Sequence, residues 1–247
     1  VTEAVTEASD GGERRAELAE SLAAVRERIA AAARAAGRDP AEVGLLAVTK
    51  TWPAEDVALL TDLGLTAFGE NKEQEGAAKA AELAALRPDV AAQWHVVGRL
   101  QRNKARSLAR WAHAVDSVDS TRLVDALERA AAAAFDAGER TTPLEVLVQV
   151  SVDGDPDRGG TPVDEVPPLA DRVADCAHLR LGGVMAVAPQ GIEPREAFAT
   201  VWEVAQGVRA THAGAVTLSA GMSGDLEAAV EYGSTVVRVG TALLGRR

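Results

Sequence analysis

The sequence lacks most of what announces a disulfide, a metal centre or a membrane segment. It has one cysteine, Cys176, in 247 residues, which excludes an internal disulfide and any multi-cysteine metal site. Cys176 precedes the apolar Leu179-Arg180-Leu181 on an expected helix and reads as a small buried hydrophobe rather than a reactive thiol. The four histidines, at 95, 113, 178 and 212, show neither HExxH nor paired spacing, so no metal is expected. No apolar run approaches the ~18 residues of a membrane-spanning helix. Residues 1–11 are polar and acidic, with no basic segment followed by an apolar one, so a flexible tail on a cytoplasmic protein is expected. Positive charge is also short: a net charge of −11 and a pI near 4.9 exclude a broad nucleic-acid footprint and attraction to anionic membranes. Any anionic ligand must be held by local groups. Aromatic residues make up only 3% while hydrophobic residues make up 47%, so the core is built from Ala, Leu and Val, packed closely.

What is present is a regular alternation. Leu45-Leu46-Ala47-Val48, bounded by Gly44 and Pro53, reads as a strand covered on both faces and ends on Thr49-Lys50. Ahead of it, Leu18, Leu22, Val25 and Ile29 recur at helical spacing, which predicts an extra helix from about Glu13 to Ala36, stopped by Gly37. Further apolar runs stand at 66–68, 93–97, 114–118, 145–150, 183–187, 216–219 and 236–239, separated by helical patterns such as Leu123, Leu127 and Ala131. Eight strands, the first seven each followed by a helix, predict a single-domain (β/α)8 barrel over residues 12–247. The long segment Asp153 to Pro162, rich in Gly, Pro and Asp, is expected to be a mobile loop.

In such a barrel chemistry belongs at the carboxyl ends of the strands. Lys50 stands at the first of these, where partial desolvation would favour a neutral amine able to form a Schiff base; a snorkelling lysine is the plain alternative. The last two strands end on Ser219-Ala220-Gly221-Met222-Ser223 and Arg238-Val239-Gly240-Thr241. Glycines and hydroxyls there suit a phosphate, although Ser223 ahead of Asp225 and Glu227 is also a plain helix cap. An amine for an aldehyde and a distant phosphate cradle are the two things pyridoxal phosphate needs. Arg238, if it points inward, would meet the cofactor's pyridine nitrogen and keep it unprotonated; otherwise it makes a rim salt bridge. Arg99, Arg102 and Lys104 form a further basic patch after the third strand, suited to an anion or a partner, or simply solvated.

These segments resemble the pyridoxal phosphate homeostasis proteins, which are similar to the N-terminal barrel domain of alanine racemase. The residues that carry the resemblance are Ala47-Val48-Thr49-Lys50-Thr51, Phe68-Gly69-Glu70-Asn71, Trp94 to Gly98 with Leu100 to Lys104, Leu218 to Ser223 with Asp225 to Ala229, and Gly233 to Thr241. The resemblance implies a Schiff base on Lys50, phosphate contacts from Ser219, Gly240 and Thr241, Arg238 near the pyridine nitrogen, and Asn71 and Met222 lining the pocket. It implies a largely monomeric protein that binds and manages the cofactor, passes it to recipient enzymes and affects vitamin B6 balance. Departures are Ala220 where Met is expected, Leu244 where Phe is expected, and Arg158 in place of Lys.

Two functions compete. A racemase-like enzyme needs a base on each face of the substrate carbon, and in alanine racemase the second is a tyrosine from a further domain of the partner subunit. This sequence has one tyrosine, Tyr232, near a helix end, and the six residues after Thr241 add no such domain. A binder with little or no catalysis is therefore the expectation. A barrel enzyme acting on a phosphorylated metabolite without the cofactor would leave Lys50 and Arg238 unexplained.

Overall fold

The structure, a computed structural model, describes residues 2–155 and 158–246. Eight parallel strands close into a barrel: β1 (Gly44–Val48), β2 (Ala67–Glu70), β3 (Gln93–Val96), β4 (Ala114–Val118), β5 (Leu144–Ser151), then β7 (Leu179–Ala186), β8 (Thr217–Ser219) and β9 (Val236–Val239). The ring shuts where β9 pairs with β1, Leu46 opposite Arg238. A two-residue strand, β6 (Thr161–Pro162), hooks onto the end of β5 outside the ring. The barrel expected from the alternation is thus the fold.

Helices α2 (Ala54–Asp62), α3 (Glu73–Leu86), α4 (Ala105–Leu108), α5 (Thr121–Asp136), α6 (Val166–Ala174), α7 (Pro194–Thr211), α8 (Leu226–Glu231) and α9 (Thr241–Leu244) follow the barrel strands in turn. The eighth strand therefore carries a helix as well. Strand residues such as Val115, Val146, Val184 and Leu218 pack outward under α4 to α8, and Phe68, Trp94, Val237 and Val239 do so under the remaining helices. Leu46, Leu147 and Met185, each 1% exposed, belong to neither helix-facing cluster. By the two-residue alternation of strands they fill the barrel interior.

The extra helix α1 (Thr2–Ala35) begins upstream of the expected Glu13. Gly11 and Gly12 do not end it, because two helical glycines cost only about 1 kcal/mol each and good helix formers flank them. Leu18, Leu22 and Val25 are buried against the barrel's outer helices, worth roughly 1.5–3 kcal/mol each. Arginines fix the helix in place. Arg14 bonds Asp56 and the Leu244 carbonyl, Arg28 bonds Glu227 and the Ser223 carbonyl, and Arg38, three residues past the helix end, bonds the carbonyls of Val230 and Ser234.

Two expectations need correction. Leu179-Arg180-Leu181 opens β7 rather than lying on a helix; its apolar-charged-apolar alternation is the strand period, with Arg180 outside on Glu145. The segment from Asp153 to Pro162 is not simply a loop, since it holds β6, while Gln149 donates to the Arg158 carbonyl and Ser151 Oγ accepts from the Gly154 amide. Pro156 and Asp157 of that segment lie outside the described residues. Cys176 is buried, as expected of a small hydrophobe, just past the end of α6. No described helix is long and apolar enough to cross a membrane, and no described group of three His, Cys, Asp or Glu could hold a metal ion.

Candidate functional site at the carboxyl end of the barrel

The strand ends open on a cavity of about 590 Å³. Six of the seven residues singled out by sequence line it: Lys50, Asn71, Met222, Arg238, Gly240 and Thr241. Arg238 stands on β9 and the others come from the segments after β1, β2, β8 and β9, so the topology has gathered residues up to 191 positions apart (241 minus 50). Ser219 is the exception. Its side chain is fully buried and serves as an acceptor for Arg238 Nη1 at 2.9 Å, beneath the cavity floor.

Lys50 sits two residues beyond β1, in a turn, and is exposed at the cavity mouth. The desolvation expected at a strand end is therefore not present, because the turn lifts the side chain clear of the barrel interior. The turn spans Thr49 to Trp52 and is closed by the Trp52 amide donating to the Thr49 carbonyl at 3.1 Å. Thr51, its third residue, has φ +68°, a conformation for which this position in a turn ordinarily selects glycine. Trp52, beside it, also lines the cavity, and the Arg14 guanidinium lies 4.7 Å above its ring.

Arg238 points inward, as anticipated, and does more than face a ligand. It is buried, and three of its five N–H groups are committed: Nη1 to the Ser219 carbonyl (2.7 Å) and hydroxyl, Nη2 to the Ala186 carbonyl (2.8 Å). The side chain thereby clasps the ends of β7, β8 and β9. Burial pushes its pKa below the ordinary arginine value, opposed by the charges of Asp116 and Asp225. Asp116 is itself buried on β4 and shares a hydrogen bond with His95 Nδ1 at 3.0 Å, while its Oδ2 has no partner among the described residues. Desolvation pulls the His95 pKa down, but Asp116, with a smaller contribution from the charge of Glu145, reverses this and leaves it above the usual histidine value.

Around this centre the walls are held by small residues. A Cβ on Gly98 would sit 2.3 Å from the Asn71 carbonyl, so only glycine lets the β3 loop press against the β2 loop here. Gly221, at φ +89°, lies where a Cβ would come 2.5 Å from that of Ala229. Gly240 precedes α9, and its carbonyl accepts from the Leu243 and Leu244 amides. Ser223 adds a hydroxyl, which accepts from the Ala242 amide at 3.3 Å. Ala220 and Leu244, the departures from the expected pattern, are both buried packing residues, and Arg158 pairs with Asp153 and Asp155.

Beside the cavity runs a second, larger groove of about 1060 Å³, lined by Arg99, Arg102, Arg122 and Arg129 together with Asp119 and Ser120. Gly98 belongs to the cavity and Arg99 to the groove, so the basic patch read from sequence turns away from the Lys50 site. Arg122 and Arg129 are additions that sequence reasoning missed; they lie two turns apart on α5, a spacing that could have suggested one face. Val187, Gly245 and Arg246 also line the cavity unannounced.

This arrangement fits a phosphorylated pyridine aldehyde chemically. The volume falls within the ~300–1,000 Å³ of small-molecule sites. An exposed amine, a buried guanidinium with two N–H groups to spare, and a glycine-led helix start supply the matching groups.

Comparison with known proteins bears on the same site. Residues 21–247 match the family described as the alanine racemase N-terminal domain. A pyridoxal phosphate homeostasis protein of Mycobacterium tuberculosis is 51% identical over 246 residues, covering 95% of each chain. Its Escherichia coli counterpart is 39% identical over 242 residues, covering 94% of this chain and 97% of the other. Among solved structures, PipY of Synechococcus elongatus with pyridoxal phosphate bound superposes with a TM-score of 0.77 at 32% identity, covering 92% of this chain and all of that one. Alanine racemase from Corynebacterium glutamicum shares the fold, with a TM-score of 0.67 at 14% identity over 93% of this chain and 60% of the other. The chain belongs to the pyridoxal phosphate homeostasis family, built on the alanine racemase N-terminal barrel.

Proposed function

We propose that this protein binds pyridoxal 5'-phosphate in the 590 Å³ cavity, as a Schiff base on Lys50, and serves to hold and deliver the cofactor with little or no turnover. The observation that carries this reading is the convergence of Lys50, Arg238 and the Gly240–Thr241 helix start on one cavity, in a chain half identical to a relative named for the cofactor. Gly240 and Thr241 would hold the phosphate at the start of α9, with Ser223 beside them and the Ala242 amide kept on the Ser223 hydroxyl. Ser219 acts one step back, by holding Arg238. The two spare N–H groups of Arg238 would donate toward the ring nitrogen, while Asn71 and Met222 close the sides.

When bound, the cofactor supplies an aldehyde that exchanges between amines. The residues of this chain limit any further chemistry. The titratable side chains lining the cavity are Lys50, Arg238 and Arg246, and an arginine is not a proton shuttle near neutral pH. Tyr232, at the end of α8, packs against the helix-facing core instead. The described cavity thus offers one amine base and no second base opposite it, which favours a binder over a racemase. The protein acts as a monomer in the cytoplasm and releases the cofactor to recipient enzymes.

The test is titration of the purified protein with pyridoxal phosphate, followed by visible absorbance, alongside turnover of alanine and serine. A stoichiometric coloured complex with negligible racemisation is expected. Turnover of even ~1 per second, ordinary for an enzyme, would favour the racemase-like alternative.

A further inference from the structure

Between the middle of α3 and the Lys50 turn lies a buried ionic network, none of whose members lines the cavity. Lys79 is 8% exposed on α3, and its ammonium donates to Glu70 Oε1 at 2.5 Å and to the Thr49 carbonyl at 2.7 Å. Thr49 Oγ1 donates to the same carboxylate oxygen at 2.6 Å. Glu70 is fully buried, and its Oε2 has no partner among the described residues. Two charges and a one-sided carboxylate in the interior are poor stability devices, since apolar residues of similar volume usually do as well or better. Their placement, however, is specific. The carbonyl that Lys79 grips is the one that closes the Lys50 turn by accepting from Trp52.

That turn needs a grip. Thr51 is the only described non-glycine residue with positive φ, and a threonine there is strained because its branched Cβ crowds the backbone. Left to itself, the segment would relax toward extended backbone and swing Lys50 off the cavity mouth. Strained residues of this kind persist only where surrounding structure over-determines them. Here the surrounding structure ties Thr49 at three points: its amide to the Gly69 carbonyl at the foot of the turn, its carbonyl, which closes the turn, to Lys79, and its hydroxyl to Glu70.

We infer that Lys79, paired with Glu70, is a positioning residue: it clamps the Thr49–Trp52 turn and so presents the Lys50 amine to the cavity. The cofactor half of this inference rests on the function proposed above, whereas the clamping half does not. Glu70 also ends β2, one residue before Asn71 on the cavity wall. One ion pair therefore sets the two neighbouring loops, after β1 and β2, at once.

The test uses Lys79→Met combined with Glu70→Gln. Removing both charges leaves no unpaired buried ion, so the barrel should fold with near wild-type thermal stability, and the amide oxygen introduced by Glu70→Gln can still accept from Thr49 Oγ1. The main-chain clamp is lost. Hydrogen bonds from charged donors are worth about ten- to a hundredfold in an equilibrium. Two readouts are taken: exchange of the Trp52 amide in cofactor-free protein, and apparent Kd for pyridoxal phosphate. Exchange at least about tenfold faster, with Kd raised by a similar factor, is the expected pair of results. Lys79→Arg, which keeps charge and donor, should preserve most of both. Unchanged exchange would overturn the clamp. Faster exchange with unchanged Kd would overturn the positioning role, leaving a clamp that does not matter to Lys50. Should wild-type protein take no pyridoxal phosphate on Lys50, the proposed function fails, while the exchange result still decides the clamp.

Discussion

The cavity and the groove beside it share one segment, Gly98-Arg99, yet are built on opposite plans. The cavity's one buried charge is fixed, Arg238 by three carbonyl and hydroxyl bonds, and the turn that carries the exposed Lys50 is bonded to a buried ion pair. The groove's four arginines are exposed and form no ion pair among the described residues. Fixed, desolvated polar groups specify geometry, whereas exposed charges contribute a screened field. A site that must receive one cofactor in one orientation belongs with the first plan.

The comparison breaks most visibly at Lys50. Lys50→Ala should leave the barrel folded, since the side chain is exposed, yet abolish the coloured complex formed with pyridoxal phosphate; a visible band that survives would remove the cavity from the account. Next in size is Arg238→Gln, which leaves the buried carbonyls of Ser219 and Ala186 short of donors. It should cost ~2 kcal/mol, read as a fall of roughly 4–8 °C in Tm for a chain of this size, with weaker cofactor binding. Arg238→Glu is a poor probe of ring protonation, because that substitution points a carboxylate at those carbonyls.

Asp116→Asn sharpens the picture of the barrel interior. The His95 pKa is raised in the folded protein, so its pairing with Asp116 stabilises fully below about pH 6.5, the unperturbed value, and the gain is lost as pH rises through the folded pKa. The variant's loss of stability should therefore be larger at pH 6 than at pH 9 in parallel denaturation curves. His113, whose pKa burial lowers, has the opposite pH dependence but is present in both proteins and largely cancels. The smallest effect is expected in the groove. Arg99→Glu with Arg102→Glu should change Tm by the equivalent of no more than ~0.5 kcal/mol and cofactor Kd by less than about twofold. A large change in Kd would join the groove to the site.

Much of this was legible in the sequence. Apolar runs such as Leu45–Val48 and Val236–Val239 mark strands because a parallel strand is covered on both faces, and eight of them define the barrel. Lys50 and Arg238 were findable because strand-end chemistry has a fixed place in that fold. Ser219 ends β8 as read from sequence, but its hydrogen bond with Arg238 depends on barrel packing that the sequence does not display. Lys79 was invisible for a related reason. Within Ala-Ala-Lys79-Ala-Ala it reads as a solvated helix lysine, and only the contact of α3 with the ends of β1 and β2 reveals its partners. Arg99 and Arg102 read as neighbours of the pocket because the turn at Gly98, which sends them outward, is set by close approach to Asn71.

The central claim, that one exposed lysine at the end of β1 receives the cofactor, is tested most directly by borohydride reduction of protein incubated with pyridoxal phosphate, then mass analysis of its peptides. The account predicts one equivalent of label, fixed on the peptide containing Lys50 and absent from Lys50→Ala. Label confined to Lys72, Lys79 or Lys104, or no label at all, would contradict it.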